Sequence, residues 1–152
     1  MDYQYIECGL DNVFIAGMPV RIDDRGRETY EIPNINGLHK VIAYGVVTHA
    51  HAMSGKELRF LRTEFGLTQA EITPLVHCDT QTIGRWERGE TPLDPKAETL
   101  IRLYAVEKLG LQEFTSVEDA ARRCVPSARV EIIKIDGSDP DNYRIAAYTN
   151  PH

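Results

Sequence analysis

The sequence lacks the features that mark a membrane-spanning, secreted or disulfide-bonded protein. No apolar run approaches the roughly 18 residues that a membrane-spanning helix needs, so we expect no membrane partner. The first ten residues have no basic cluster ahead of an apolar stretch, so no secretory signal is predicted. The cysteines, Cys8, Cys78 and Cys124, are odd in number and widely spaced. These absences together predict a protein of the reducing cytoplasm.

Signatures of catalysis are also missing. The sequence contains no nucleophile elbow, no glycine-rich phosphate loop and no His-x-x-x-His pair. Cys8, His39, His49 and His51 are of types that bind zinc, but their spacing fits no standard site. We therefore predict no enzymatic activity, no cofactor and no metal, and we interpret His49 and His51 as part of a solvated linker.

The net charge of −6 at pH 7 at first argues against a nucleic-acid partner. The excess acid lies mostly outside residues 54–110, where eight Lys and Arg face nine Asp and Glu. Phosphate binding requires a local basic patch rather than a basic protein. The charge therefore predicts modest non-specific affinity for DNA without excluding specific binding.

The first segment, residues 1–52, is predicted to be a small module of strands and one helix. Its β-branched and aromatic runs, separated by turn residues, are at 13–15, 20–22 and 29–32. Apolar residues then recur at helical spacing from Leu38 to Val46, with Asn34 or Asn36 available as the N-cap.

The other two segments complete a predicted α+β fold with a central all-helical domain. Residues 53–110 have helical spacing throughout. Residues 111–152 begin with a short helix capped by Ser116 and continue as a β-hairpin with strands near 130–135 and 143–148. Because this tail is too small to fold alone, we expect it to pack on a neighbouring segment or across a dimer.

The middle segment has the helix-capping residues that are expected of a helix-turn-helix domain. Capping boxes of the Ser/Thr-x-x-Glu type open its first two helices at Ser54 and Thr68. Asp79 caps a third helix, and Asp94 with Pro95 opens a fourth. The apolar residues of the first three helices share their inner faces and are Leu58, Leu61, Phe65, Ile72, Leu75, Val76, Ile83 and Trp86. Short helices joined by a tight turn, with apolar inner faces, predict a helix-turn-helix.

The outer face of the third helix is then the informative surface. Thr80, Gln81, Gly84, Arg85 and Arg88 point away from its apolar residues. Hydroxyl, amide and guanidinium groups read base edges in the major groove, with Arg favouring guanine and Gln favouring adenine. Gly84 lowers helix propensity but leaves room for the groove wall. We predict that this helix contacts DNA.

Two motifs carry a family resemblance: Leu-Thr-Gln-Ala-Glu-Ile at 67–72 and Asp-Thr-Gln-Thr-Ile-Gly-Arg-Trp-Glu-Arg-Gly at 79–89. They resemble the XRE family of phage-repressor-like helix-turn-helix proteins, over residues 54–110. The resemblance implies a dimer that places one recognition helix in each half-site. It also implies that Arg62 and Glu87 form a structural ion pair.

The resemblance further implies that Gln69 contacts DNA near the backbone and that Thr80, Gln81 and Arg85 read bases. With Thr82 and Arg88 of the third helix added, the predicted DNA-binding set is Gln69, Thr80, Gln81, Thr82, Arg85 and Arg88. The chain departs from the pattern at Pro74, inside the second helix, and at residues 90–92, which lack the basic side chains of some relatives.

The order of segments is also similar to that of MqsA-type antitoxins, whose N-terminal module holds zinc with two Cys-x-x-Cys pairs. Only Cys8 is present here, so a zinc-free module is expected. On the fourth helix, an inward stripe of Ala97, Leu100, Ile101 and Tyr104 leaves Leu103 and Val106 as a predicted dimer surface. The leading hypothesis is a homodimeric repressor that reads an inverted repeat. The alternative is an antitoxin that binds a toxin and represses its own operon.

Overall fold

The protein has the predicted α+β architecture in a computed structural model that describes residues 2–18, 20–30, 32–49, 51–122 and 132–149. The strands are β1 (Tyr3–Gln4), β2 (Val13–Ala16), β3 (Val20–Ile22), β4 (Glu28–Tyr30), β5 (Ile132–Asp136) and β6 (Arg144–Thr149). The helices are α1 (Ile35–Thr48), α2 (Gly55–Phe65), α3 (Gln69–Val76), α4 (Thr80–Glu87), α5 (Pro95–Lys108) and α6 (Val117–Arg122), with a 3₁₀ turn at Leu111–Glu113.

One sheet joins the two ends of the chain. Its strand order is β1-β2-β5-β6, in which β2 and β5 are parallel and the other pairs are antiparallel. Val13 lies opposite Ile133 and Ile15 opposite Ile135, and all four side chains are buried. The tail therefore packs on the N-terminal segment, which confirms the predicted packing on a neighbouring segment. Residues 130 and 131 of the predicted strand lie outside the described residues.

A second, two-stranded ribbon consists of β3 and β4 alone. Asp23 forms its turn by accepting hydrogen bonds from the backbone N–H groups of Arg25 and Arg27, both at 2.9 Å. Val20 is exposed and Ile22 is 73% exposed. The ribbon therefore presents apolar side chains outside the core.

Local capping confirms where the helices begin. Each predicted N-cap accepts a backbone N–H through its side chain, and these residues are Asn34, Ser54, Thr68, Asp79, Asp94 and Ser116. Gly66 ends α2 at φ 73°, a left-handed conformation that favours glycine. Pro74 lies inside α3 without preventing that helix.

The connection between α1 and α2 is not a solvated linker, so the interpretation of His49 was wrong. His49 is buried, and its Nε2 donates to Glu57 Oε2 at 3.0 Å. The same carboxylate accepts the Ser54 N–H at 2.9 Å and lies 3.4 Å from Asn12 Nδ2. The physical reason is that α1 is followed closely by α2, so His49 and Met53 between them are enclosed by the core.

Buried Arg102 of α5 satisfies the end of α1. Its guanidinium donates to the Val46 and Val47 carbonyls in the last turn of α1 and to the His49 and His51 carbonyls that follow it. Glu98 lies 3.3 Å from the guanidinium and accepts the Met53 N–H at 2.7 Å. The pattern of apolar residues did not predict this pair.

The faces of α5 differ from the predicted stripe. Val106, expected to lie on a partner surface, is fully buried, whereas Leu100, expected inside, is 38% exposed. Leu103 and Tyr104 are half-buried. The cause is that α5 packs against α1, α2, α3 and α6, so more than one of its faces is covered.

Candidate nucleic-acid interface

The orientation of α4 follows from its inner face. Ile83 and Trp86 are buried, as the spacing predicts. The N-terminus of α2 packs against the end of α4 so closely that a Cβ on Gly55 would lie 2.0 Å from the Trp86 carbonyl oxygen. No residue larger than glycine fits there without displacing backbone. This contact and the two buried side chains hold the opposite face of α4 toward solvent.

That opposite face gathers most of the predicted DNA-binding residues. An open depression of about 430 Å³ is lined by Gln69, Thr80, Gln81, Gly84, Arg85 and Arg88. Gln69 comes from the start of α3, and the others come from α4 and its C-cap. Five of the six predicted residues are thus neighbours on one surface.

Thr82 is the predicted residue that does not line the depression. It is half-buried, and its N–H donates to Asp79 Oδ1 at 2.7 Å. The Thr82 N–H and hydroxyl, followed by the charge of Arg85, hold the pKa of Asp79 below its usual range. Thr82 therefore stabilises the helix cap at Asp79, a role that the helical spacing did not reveal.

A hydrogen-bonded bridge positions Gln69. Glu87 accepts from Arg62 Nε at 2.6 Å and Nη2 at 3.0 Å, which confirms the implied ion pair. Hydrogen bonding to Glu87 is the largest cause that raises the pKa of Arg62. Gln69 Nε2 also donates to Glu87 Oε1, at 3.1 Å. The bridge joins α2, α3 and α4, so it holds the Gln69 amide beside the outer face of α4.

Gly84 forms the floor of the depression. A Cβ at this position would lie 3.0 Å from Arg88 Nη1 and 3.8 Å from Gln69 Oε1. The guanidinium and the amide therefore both lie close to a backbone that has no side chain. The sequence suggested that the missing side chain leaves room for DNA. In the free protein, the Gln69 and Arg88 side chains lie near this space.

The charges of this surface partly cancel. Arg85 and Arg88 are the charged side chains that line the depression. Arg88 Nη2 lies 3.0 Å from Glu90 Oε2, and this pair was not predicted. The Arg88 hydrogen bond and charge, followed by the charge of Arg85, lower the pKa of Glu90. Glu90 is therefore ionised at neutral pH beside two cationic residues.

The cysteines and histidines have other surroundings. Cys78 is half-buried before α4, and burial followed by the charges of Asp94 and Asp79 raises the pKa of its thiol. Cys8 is half-buried as well, and burial is the main cause that raises its thiol pKa. Cys124 lies outside the described residues.

His39 bridges the N-terminal module and α2. Its Nε2 lies 2.8 Å from the Tyr5 hydroxyl and its Nδ1 lies 2.5 Å from Glu64 Oε1. Over the described ranges of the chain, no three His, Cys, Asp or Glu side chains are grouped in a way that could hold a metal ion. None of the helices in those ranges is both long and apolar enough to cross a membrane.

No protein-family model matches the chain, and no curated protein or solved structure matches it either. The chemistry of the α4 surface is therefore the basis for a function.

Proposed function

We propose that this chain is a cytoplasmic transcription regulator that binds double-stranded DNA sequence-specifically, as a homodimeric repressor. One observation carries the proposal: hydroxyl, amide and guanidinium side chains of α4 share an exposed surface, while Ile83 and Trp86 anchor the same helix in the core. A short helix supported in this way and exposed along one side suits insertion into the major groove.

The surface suggests a division of roles. Gln81 and Arg85 are four residues apart, so they project from the same side of α4 about 6 Å apart along its axis. Arg85 suits guanine and Gln81 suits adenine, because each can form two hydrogen bonds to that base. The N-terminus of α3, where Gln69 lies, suits a phosphate because its backbone N–H groups point outward. Phosphate contacts would then set the register, and base contacts would set the specificity.

A homodimer with one α4 helix in each half-site would bind an inverted repeat. Two-fold pairing would set two α4 helices about 34 Å apart, one turn of DNA. A dimer bound across a promoter would repress transcription by occupancy. Leu100, exposed on α5, is the apolar residue we assign to the dimer contact in place of Val106.

The proposal is tested by selecting bound sequences from a random duplex pool and titrating the winner at two salt concentrations. We expect an enriched inverted repeat. Arg85→Ala should weaken binding to it by about 1–3 kcal/mol and relax specificity at one base position. Arg122→Ala, which removes an exposed arginine from α6, is the matched control and should bind normally. Undiminished operator binding by Arg85→Ala would contradict the assignment of α4 as the recognition helix.

One observation favours the alternative of an antitoxin. The β3–β4 ribbon exposes Val20 and Ile22, and exposed apolar side chains are typical of protein-binding surfaces. An antitoxin would hold a toxin through such a surface while α4 binds the operon's own promoter. Co-purification with the product of a neighbouring gene, lost in Ile22→Glu, would favour this function. Independent purification of the two products would oppose it.

A further inference from the structure

Glu90 lies at the edge of the candidate interface in a defined position. Gly89 turns the chain after α4 with φ 74°, and the Glu90 N–H then donates to the Arg85 carbonyl at 2.9 Å. This hydrogen bond ties the Glu90 backbone to the last turn of α4. The carboxylate is therefore held beside the two arginines that line the depression.

The two terminal nitrogens of the Arg88 guanidinium lie in different environments. Nη2 lies 3.0 Å from the Glu90 carboxylate, while Nη1 lies over Gly84 in the depression. In the free protein, Glu90 thus occupies one of the donors that Arg88 would offer to a phosphate.

The pair is also easily opened. The side chains of Arg88 and Glu90 are 61% and 54% exposed, and an exposed ion pair contributes little to folding stability. Duplex DNA presents about one negative charge per 1.7 Å of its axis, so its phosphates compete strongly for an exposed guanidinium. Once Arg88 is released to DNA, the Glu90 carboxylate faces the same phosphates without a partner and repels them.

We propose that Glu90 competes with DNA phosphates for Arg88, and that this competition lowers affinity for every sequence. The inference rests on the proposed function and names a regulation of the same surface. Because the penalty applies to non-specific and specific DNA alike, weak non-specific complexes dissociate first. Occupancy then depends on the base contacts of Gln81 and Arg85.

The test compares Glu90→Gln with the wild-type chain on the selected operator and on a random duplex, across several salt concentrations. We expect both duplexes to bind about three- to tenfold more tightly, because the variant removes the exposed pair and its repulsion. The dependence of log affinity on log salt should steepen by about one, since the net positive charge that faces the phosphates rises by one. Glu118→Gln is the matched control, because it removes the same charge from an exposed Arg–Glu pair on α6.

A second pair of variants separates a specific role from general repulsion. In an Arg88→Ala background, adding Glu90→Gln should produce little of the increase in DNA affinity that it produces in the wild-type chain. A full gain in that background, or equal effects of Glu90→Gln and Glu118→Gln, would overturn the competition. Weaker binding by Glu90→Gln would also overturn it, and would instead make Glu90 a residue that positions Arg88. Wild-type protein that binds neither duplex would refute the proposed function itself.

Discussion

Gln69 and Arg88 both lie close to Gly84, the residue of α4 that has no side chain of its own. At the scale of single residues, the candidate interface is therefore shaped by what each side chain contacts. Gln69 is held by Glu87, and Thr82 is turned to the Asp79 cap. Arg85 lines the depression and is exposed, so it is the guanidinium most ready to contact a base.

Gly84→Ala should have opposite effects on folding stability and on DNA binding. Alanine has the higher helix propensity, and the nearest atom to its methyl would be the end of a flexible arginine, so we expect a gain of about 0.5–1 kcal/mol in unfolding free energy. Operator binding should nevertheless weaken, because the methyl fills the floor of the depression. Thermal denaturation and DNA titration measure the two effects.

Gly45→Ala is the matched control within α1. There a Cβ would lie 2.9 Å from Ile133 Cγ2 and 3.2 Å from Ile145 Cδ1, in the core. We expect a loss of about 1–3 kcal/mol, the usual cost of overpacking. A lower melting temperature for Gly84→Ala as well would mean that Arg88 cannot move aside.

At the scale of elements, Glu57 links the N-terminal module to the helical segment that begins with α2. Its buried carboxylate receives hydrogen bonds from Ser54 at the start of α2, His49 after α1 and Asn12 before β2. Burial by itself raises the pKa of Glu57, but His49, Ser54 and Asn12 outweigh it and hold that pKa below the ordinary value of 4.5. The start of α2 also contacts the end of α4, so this cluster supports the orientation of α4.

Glu57→Gln should destabilise the protein by about 1–3 kcal/mol at pH 7. The neutral amide cannot accept all of the hydrogen bonds that the charged carboxylate accepts. A lowered pKa means that the carboxylate stabilises the fold above pH 4.5 and loses this contribution as the pH falls through the folded-state pKa. The difference between variant and wild type in denaturant unfolding should therefore shrink below pH 4.5.

The matched control is Glu71→Gln, at the equivalent capping position of α3, where the carboxylate is exposed. It should cost much less than Glu57→Gln. Equal losses for the two variants would show that the buried cluster adds nothing beyond the helix cap.

At the scale of the whole molecule, the two ends of the chain close one sheet, and α1 packs both on this sheet and against α2 and α5. The helical domain is therefore attached to the sheet through packed elements and not through a solvated linker. The exposed apolar residue Leu100 lies on α5, which packs against α1 and three further helices. A dimer formed through α5 would thus join the most connected helix of each copy.

Leu100→Glu should convert the proposed dimer to a monomer, because a carboxylate buried at the interface would lack a partner. Sedimentation should show the lower mass, and binding to the inverted repeat should lose its cooperativity while a half-site still binds weakly. Ile22→Glu on the β3–β4 ribbon is the control and should stay dimeric. A Leu100→Glu protein that remains a dimer would place the interface elsewhere.

Local interactions determined a large part of this structure, and for that reason the sequence predicted them. Helix starts depend on a capping side chain and the next three residues, so Ser54, Thr68, Asp79 and Asp94 identified them. The burial of Ile83 and Trp86 followed from helical spacing, and the same spacing placed the polar residues of α4 outside.

Tertiary structure alone decided what depends on contacts between distant segments. The pairing of Val13 with Ile133, the burial of His49 against Glu57 and the exchange of roles between Leu100 and Val106 each require elements that no local pattern brings together. The placement of Arg88 between Gly84 and Glu90 likewise depends on the turn after α4. Sequence thus specified which face of α4 would be exposed, and the fold specified how its charges are paired, because electrostatic pairing depends on distances in space.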